Sequence, residues 1–396
     1  MIAPAVRADR VELADVVRAH AGQLTGLSVT QQHVLRAIAD CRTAALGGHR
    51  RACAQCGHQE IAYNSCRDRH CPKCQGLEAA RWIDAQQQDL LPVQYFHVVF
   101  TVPAELHALF LAAPRVTYNL LFAAVAETLA QVALRRLGAK IAVTAVLHTW
   151  TQLLLFHPHL HCIVPGGGLD PGHTHWISAR ADFFLPVRIL AEVFRAKLLA
   201  ALEKAIDGAK IPPKTTDEDR HDLLKRAAVK RWVVYCKPPF AGPDQVLAYL
   251  ARYTHRIALS NDRLLSLHEG QVTFRWKDRA HGDAPRVATV EAEAFLRRFL
   301  RHVLPHRFVR IRHYGWLANA ARKRLLPKVR ELLGLSAPVA RTPPPVEPET
   351  WEATLLRLTG KDVTRCPCCG AGGFRIVEAV PPRAEPGNLP LRVRSP

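Results

Sequence analysis

Hydrophobic positions recur with two different periods along the chain. Helical spacing, with apolar residues three or four apart, runs through residues 10–45, 104–137 and 186–229 and through EAEAFLRRFLRHVL. Alternating or short continuous apolar runs predict strands. These runs are YFHVVFTVP, IAVTAVLHTWTQLLLF, HLHCIVP, RWVVYCK, RIALS, QVTFRWKD and RVATVE. Helices mixed with hairpin-like strands indicate an α+β protein.

The same pattern divides the chain into five parts. Residues 1–40 form a helical N-terminal segment, and residues 41–90 begin with a stretch rich in Gly, Cys and His that has little periodicity. Residues 91–335 carry most of the predicted elements and form the large domain. Residues 336–350 are a Pro-rich linker, and residues 351–396 are a small Cys-containing tail that we expect to be partly disordered.

The positive net charge of the chain indicates what kind of molecule it binds. The 396 residues include 54 Lys and Arg against 34 Asp and Glu, which gives a net charge of +20 and a pI of about 9.9. Such a balance favours a polyanion, nucleic acid first and an anionic membrane surface second. No apolar run reaches the length of a membrane span, and the N-terminal residues do not resemble a signal peptide. We therefore expect a cytoplasmic protein that binds nucleic acid and no membrane.

Cysteines point to a metal. Six of the eleven cysteines lie between Cys41 and Cys74, and clustered cysteines in a reducing compartment are typical of metal sites. Cys53 and Cys56 form one CxxC pair and Cys71 and Cys74 another, with fourteen residues between the pairs. Two such pairs supply the tetrahedral thiolate set of a zinc ribbon, so this spacing predicts a structural Zn²⁺. The alternative is a set of reduced cysteines without metal.

Other residues of this segment offer a second site and a contact with phosphates. The candidate ligands of the second site are Cys41, His49, Cys66 and His70. Arg67 and Arg69 lie between ligands, so we expect a rigid ribbon to present them to a nucleic-acid backbone. In the tail, RCPCCG contains Cys366, Cys368 and Cys369. It has no second CxxC nearby, so Cys366 and Cys369 are expected to form half a site or none.

Histidines alternate along one predicted strand, FHPHLHCIV. Because side chains alternate between the faces of a strand, Leu160 is expected in the core and His159 and His161 on the other face. His148 lies in the preceding strand-like run, and it completes a three-histidine site if the two runs pair as a hairpin; Gln152 is the substitute. The alternative is a set of core histidines whose ring nitrogens are hydrogen-bonded within the protein. A second HxH, at 173–175, lies beside a Pro-Gly turn and is not expected to bind metal.

Two tyrosines lie four residues apart in AYLARYTHR. On the helix predicted for GPDQVLAYLARYTHR, Tyr249 and Tyr253 share one face, and Arg252 and Arg256 lie on the same side. Taken alone, the pair is more typical of interfacial tyrosines with buried rings. Together with a divalent cation bound by the histidines, the tyrosine pair can act as a nucleophile. A phenol can attack a phosphate that the cation polarises and the arginines hold.

The chain resembles the rolling-circle transposases of the HUH superfamily, specifically the type named after insertion sequence ninety-one. The matching pieces cover most of residues 40–320 and are GGHRRACAQCGHQEIAYNSCRDRHCPKCQ, LHTWTQLLLFHPHLHCIVPGGGL and YLARYTHRIALSN. The resemblance implies a zinc-binding domain for DNA, followed by an HUH nuclease domain with a central antiparallel sheet flanked by helices. It also implies His159 and His161 as metal ligands, and Tyr249 and Tyr253 as nucleophiles. His148 matches the third histidine of related relaxases, whereas other members use Gln or Glu.

These observations predict a transposase that nicks and rejoins single-stranded DNA at insertion-sequence ends through 5′-phosphotyrosine intermediates. The expected cofactors are structural Zn²⁺ in the ribbon and catalytic Mg²⁺ or Mn²⁺ at the histidines. One alternative is a replication initiator or relaxase with the same chemistry. Another is a non-catalytic zinc-ribbon DNA-binding protein.

Overall fold

A five-stranded, fully antiparallel sheet lies at the centre of the fold. From one edge to the other, its strands are Ile311–Tyr314, Val143–Trp150, Phe156–Pro165, Tyr95–Thr101 and Val234–Phe240. The computed structural model describes Trp82, Gln86 and residues 11–74, 89–181, 184–212, 220–240, 258–278, 281–335, 350–360 and 362–383. The predicted α+β class, with a central antiparallel sheet flanked by helices, is confirmed.

Fourteen strands and nine α-helices are found in the described part of the chain. The strands are β1 Gly48–Cys53, β2 Gln59–Tyr63, β3 Tyr95–Thr101, β4 Lys140–Ile141, β5 Val143–Trp150, β6 Phe156–Pro165, β7 Gly167–Leu169, β8 Trp176–Ser178, β9 Val234–Phe240, β10 Leu264–His268, β11 Gln271–Asp278, β12 Ala284–Glu291, β13 Ile311–Tyr314 and β14 Phe374–Val380. The helices are α1 Leu13–His20, α2 Val29–Asp40, α3 His107–Ala112, α4 Pro114–Leu137, α5 Val187–Asp207, α6 Arg220–Ala228, α7 Ala292–Leu300, α8 Asn319–Leu332 and α9 Trp351–Thr359.

The main hydrophobic core lies between one face of the central sheet and helices α3 to α6. Leu160 of β6 and Phe100 of β3 are fully buried in it, as the alternation along the strands predicts. Helix α4 begins with Pro114 and ends at Leu137, and the next residue, Gly138, has a positive φ of 72°. Because proline suits the first helical turn and glycine the left-handed position after the last, both ends are set by sequence.

Helix α4 is also the one described helix whose length and composition would allow it to cross a membrane. Most of its apolar window, 56%, is buried inside the protein, and residues such as Leu121 and Phe122 pack in the main core. Its apolar character is therefore accounted for by packing against the sheet.

A second core joins the two N-terminal helices to a later part of the chain. Helices α1 and α2 pack with helix α7 and with the β10-β11-β12 meander. Ser28 caps α2 by accepting a hydrogen bond from the Gln31 amide, and the Gln31 side chain bonds back to the Ser28 amide. Cys41 and Cys71 are buried in the same core. The N-terminal helices thus pack on residues that the sequence assigns to the large domain.

The glycines after β6 begin another sheet. Strand β7, which contains Gly167 and Gly168, pairs with β4 and β8 in a small three-stranded sheet. A Cβ on Gly167 would lie 2.5 Å from the Trp176 ring, and one on Gly168 would lie 2.5 Å from the Lys140 carbonyl oxygen. The glycines are required because neighbouring strands approach so closely.

Candidate functional site

Three buried imidazoles meet on the face of the central sheet opposite the main core. His148 of β5 lies directly across from His159 of β6, and His161 follows two residues later on the same face. One ring nitrogen from each lies within 4.8 Å of the others. The three side chains are at most 9% exposed. The hairpin register that a three-histidine site requires is therefore present.

Hydrogen bonds set the tautomers of two of these rings. His159 Nδ1 lies 2.7 Å from the His157 carbonyl oxygen, so it carries the proton and donates. That leaves the lone pair on Nε2. His161 Nδ1 lies 2.8 Å from Nε2 of His97, a buried histidine of β3. If His161 Nδ1 donates to His97, the lone pair of His161 is likewise on Nε2.

His148 is held by stacking. Its ring lies over the Trp150 ring, with the centroids 4.6 Å apart and the planes 21° from parallel. Gln152, the alternative third ligand, lies in the turn after β5, and its backbone carbonyl accepts a hydrogen bond from Arg263. Three neutral imidazoles suit a divalent cation because they bind it without cancelling its charge.

The cysteines group differently from the sequence prediction. Instead of one set made from Cys53, Cys56, Cys71 and Cys74, the structure forms two four-thiol clusters. The first, called the core cluster, contains Cys41, Cys66, Cys71 and Cys74. The second, called the tail cluster, contains Cys53, Cys56, Cys366 and Cys369. The prediction that Cys366 and Cys369 make half a site or none was wrong, because their partners lie more than 300 residues earlier.

The core cluster has the spacing of a thiolate zinc site. The Cys74 sulfur lies 3.6 Å from the sulfurs of both Cys41 and Cys66. Four sulfurs about 2.3 Å from one zinc ion lie about 3.8 Å apart in a tetrahedron. The donor set therefore fits Zn²⁺.

The predicted second site of Cys41, His49, Cys66 and His70 is only half right. Cys41 and Cys66 belong to the core cluster, but the two histidines do not. His70 Nδ1 lies 3.0 Å from Asp68 Oδ1, and its Nε2 accepts a hydrogen bond from the Leu304 amide. Both ring nitrogens are thus engaged, Nδ1 within the cysteine loop and Nε2 in holding that loop against the segment after α7. His49 lies on β1, where it pairs with Ala62 and Ala379.

The two arginines predicted to bind DNA have different environments. Arg67 is exposed and has a positive φ of 55°. Arg69 is half-buried and donates a hydrogen bond to the Phe308 carbonyl, and burial lowers the pKa of its guanidinium. Arg67 is thus open to solvent, whereas Arg69 mainly fastens two parts of the chain together.

The predicted nucleophiles and their arginines lie outside the described residues, namely Tyr249, Tyr253, Arg252 and Arg256. The described residues on either side are informative. Strand β9 ends at Phe240 beside Tyr95. Ala258, where the description resumes, lines a small cavity together with Trp150, the residue stacked on His148.

His302 supports the loop between the histidine strands. Its Nε2–H donates to the Leu154 carbonyl at 3.0 Å, and its Nδ1 lies 3.2 Å from the Thr149 hydroxyl. Burial lowers the pKa of His302 to about 4. The side chain is therefore neutral at physiological pH and holds the residues next to His148.

Sequence reasoning missed His97 and the tail cluster. The signal for His97 was its place in YFHVVF, because a histidine inside an apolar strand needs a polar partner. The signal for the tail cluster was the CxxC of RCPCCG, which is the third CxxC pair of the chain.

Comparisons with known proteins agree with this architecture. A family described as “Transposase zinc-binding domain” matches residues 13–102, and one described as “Putative transposase” matches residues 142–324. The chain is 50% identical over 383 residues to “Putative transposase y4qJ” of Sinorhizobium fredii, covering 93% of this chain and 95% of that protein.

A second relative is named “Transposase for insertion sequence element IS801”, from Pseudomonas savastanoi pv. phaseolicola. It is 28% identical, and the match covers 89% of this chain and 85% of the relative. No solved structure matches the chain. With a match over nearly its whole length and both family domains in order, this chain belongs to the transposases of the insertion sequence ninety-one type, DNA-processing proteins with a zinc-binding domain.

Proposed function

We propose that this transposase is a metal-dependent HUH tyrosine endonuclease and strand transferase. It nicks and rejoins single-stranded DNA at the ends of its insertion sequence, in the bacterial cytoplasm, through 5′-phosphotyrosine intermediates. The single observation that carries the proposal is the convergence of His148, His159 and His161 on one buried patch of the sheet.

The histidine patch fits a catalytic divalent cation. Its three nitrogens lie within 4.8 Å of one another, and hydrogen bonds to His157 and His97 orient two of the rings. Mg²⁺ or Mn²⁺ held there would polarise the scissile phosphate and neutralise the charge that develops on it. Buried structural histidines would not need three ring nitrogens aimed at one point.

The tyrosines supply the nucleophile. With a pKa of about 10, a phenol is only about one part in a thousand ionised at pH 7, so Tyr249 or Tyr253 needs help at the moment of attack. The phenolic oxygen forms a bond to phosphorus and loses its proton to solvent, while the bond from phosphorus to the 3′ oxygen breaks and that oxygen takes up a proton from solvent. The product is a 5′-phosphotyrosine and a free 3′-hydroxyl. A 3′-hydroxyl can then attack the ester and release the tyrosine.

The chain path is compatible with this role. Ala258 follows Tyr253 by five residues, a stretch that spans at most about 18 Å when fully extended. Ala258 shares a cavity with Trp150, which stacks on His148. Arg252 and Arg256 of the same segment are proposed to hold the non-bridging phosphate oxygens.

The energetics also agree with a strand transferase. The phosphotyrosine ester conserves the energy of the broken phosphodiester, so rejoining needs no nucleotide cofactor. A net charge of +20 supplies affinity for the DNA backbone. Two tyrosines allow two strands to be handled in turn.

The test is covalent capture of DNA. The purified full-length protein is incubated with end-labelled single strands from the insertion-sequence ends, with Mg²⁺ or Mn²⁺, and a protease-sensitive shifted band is measured. We expect the Tyr249→Phe/Tyr253→Phe double variant to abolish the band while it still binds the strand. Tyr63→Phe is the matched control, because Tyr63 is an exposed tyrosine at the end of β2, in a different sheet from the three histidines.

Two outcomes would refute the proposal. One is an adduct that persists in the double variant. The other is no adduct and no nicking by the wild-type protein with any divalent metal, which would favour the non-catalytic DNA-binding alternative. Cleavage at a plasmid origin and not at insertion-sequence ends would favour an initiator or relaxase.

A further inference from the structure

We propose that the tail cluster of Cys53, Cys56, Cys366 and Cys369 is a second zinc site, which completes a zinc ribbon from the two ends of the chain. Two of its ligands come from the last residue of β1 and the turn that follows it, and the other two come from the tail segment before β14. The site is independent of the proposed nuclease chemistry. It would fasten residues 362–383 to the zinc-binding domain.

The sulfur geometry is that of a tetrathiolate site. Cys53 and Cys369 place their sulfurs 3.7 Å apart, and Cys56 and Cys366 place theirs 3.6 Å apart. These distances match the value of about 3.8 Å expected for tetrahedral zinc. They are far longer than a disulfide bond of about 2.05 Å.

The two CxxC segments fold into the same knuckle. In the first, the Gly57 amide donates to the Cys53 carbonyl at 3.1 Å, and the Cys53 amide donates to the His58 carbonyl at 2.8 Å. In the second, Gly370 donates to Cys366 at 2.9 Å, and Cys366 donates to the Ala371 carbonyl at 2.8 Å.

The glycines of the two knuckles also match, with φ of 72° at Gly57 and 73° at Gly370. This left-handed conformation is the one that favours glycine. Two segments 310 residues apart thus have the same turn, with the thiols pointing to one place. Such a repeated turn indicates that the two segments form one metal site.

The sheet beside the cluster has too little apolar burial to fold on its own. Strand β14 pairs with β1, and β2 pairs with the other edge of β1. Every side chain of β2 and β14 is exposed or half-buried. The Arg50–Glu378 ion pair at 2.8 Å is exposed and contributes little. Metal binding is therefore the natural source of the folding free energy of this small sheet.

The test is the zinc content of the full-length protein, measured by mass spectrometry of the metal against protein concentration. We expect two zinc ions per wild-type chain and one in the Cys366→Ser/Cys369→Ser variant. The Cys53→Ser/Cys56→Ser variant should also hold one, because both pairs serve one ion. Cys368→Ser is the matched control, because Cys368 is exposed and lies between the ligands without joining the cluster. It should keep two.

A single zinc ion in the wild-type protein would overturn the proposal, and so would two zinc ions in the Cys366→Ser/Cys369→Ser variant. X-ray absorption of the wild-type protein provides a check that needs no variant, since both ions should have sulfur ligands only. Amide exchange gives a third measurement. Strand β14 should lose protection in the Cys366→Ser/Cys369→Ser variant, whereas β5 and β6 should keep theirs. The zinc content is measured without DNA, so failure of the nuclease proposal would leave this result interpretable.

Discussion

His161 and His97 are joined through their ring nitrogens, Nδ1 of the first to Nε2 of the second, at 2.8 Å. Since His161 Nδ1 donates in the arrangement that leaves Nε2 for a metal, His97 orients this ligand and makes it a better donor. We expect His97→Leu to weaken Mn²⁺ binding about 10- to 100-fold, measured by calorimetry without DNA. The Mn²⁺ concentration that half-saturates nicking should rise by the same factor.

Two further variants separate positioning from simple loss of packing. His97→Gln keeps a side-chain acceptor and should recover part of the affinity. His107→Leu removes a half-buried imidazole, which packs on Phe156 at 5.4 Å between ring centroids, and it should leave Mn²⁺ binding unchanged. An equal loss of Mn²⁺ affinity in His107→Leu and His97→Leu would show that His97 affects metal binding only through the stability of the fold.

His302 should make the fold sensitive to acid. Its pKa is about 4 in the folded protein because of burial, against 6.5 for an ordinary histidine. Between these pH values the unfolded chain binds more protons, so the stabilisation is present above pH 6.5 and is lost as the pH falls toward 4. The loss at pH 5 is about 2 kcal/mol. Urea unfolding at pH 7.5 and pH 5 measures it.

His302→Gln should remove most of this pH dependence while it lowers the stability at pH 7.5. His268→Gln is the control, because the His268 side chain is 80% exposed, and it should behave like the wild-type protein. The assignment fails if His302→Gln and wild type lose the same stability between the two pH values.

Local periodicity predicted which three histidines lie together, whereas contacts between distant parts of the chain could not be predicted in the same way. Alternation placed Leu160 in the core with His159 and His161 opposite, and a short connection made the pairing of β5 with β6 natural. The cysteine knuckles were also visible locally. The sequence did not show which knuckles lie together, because Cys56 and Cys366 are separated by 310 residues along the chain.

Contacts between distant parts of the chain were also missed for the N-terminal helices and for Arg69. The apolar faces of α1 and α2 were evident, but not that they pack on α7 and the β10-β11-β12 meander. Arg69 looked like a phosphate ligand because arginines between metal ligands are usually exposed. Its hydrogen bond to the Phe308 carbonyl joins two segments that are 239 residues apart in the sequence, so this contact could not be predicted from local pattern.

Arg67 and Arg69 should separate DNA binding from stability. Exposed Arg67 is expected to meet a phosphate, so Arg67→Gln should reduce the salt dependence of single-strand affinity by about 0.7 in the slope of log K against log salt. Arg69→Gln should leave that slope unchanged and lower the melting temperature, because it loses the hydrogen bond to Phe308. Fluorescence anisotropy across a salt series and calorimetric melting measure the two effects. An unchanged slope in Arg67→Gln would place Arg67 away from the DNA backbone.

The core cluster should stabilise the second hydrophobic core. Cys41 and Cys71 are at most 1% exposed and pack with α2 and α7, so loss of zinc would leave thiolates buried without their cation. We expect Cys71→Ser to lose one zinc ion and at least about 3 kcal/mol of stability, with faster amide exchange in α1, α2 and α7. Cys236→Ala is the control, because Cys236 is a half-buried cysteine of β9 outside both clusters, and it should keep the full zinc content. Chelation of the wild-type protein should reproduce the exchange pattern of Cys71→Ser. Unchanged exchange in α2 after complete zinc removal would mean that the core is stable without metal.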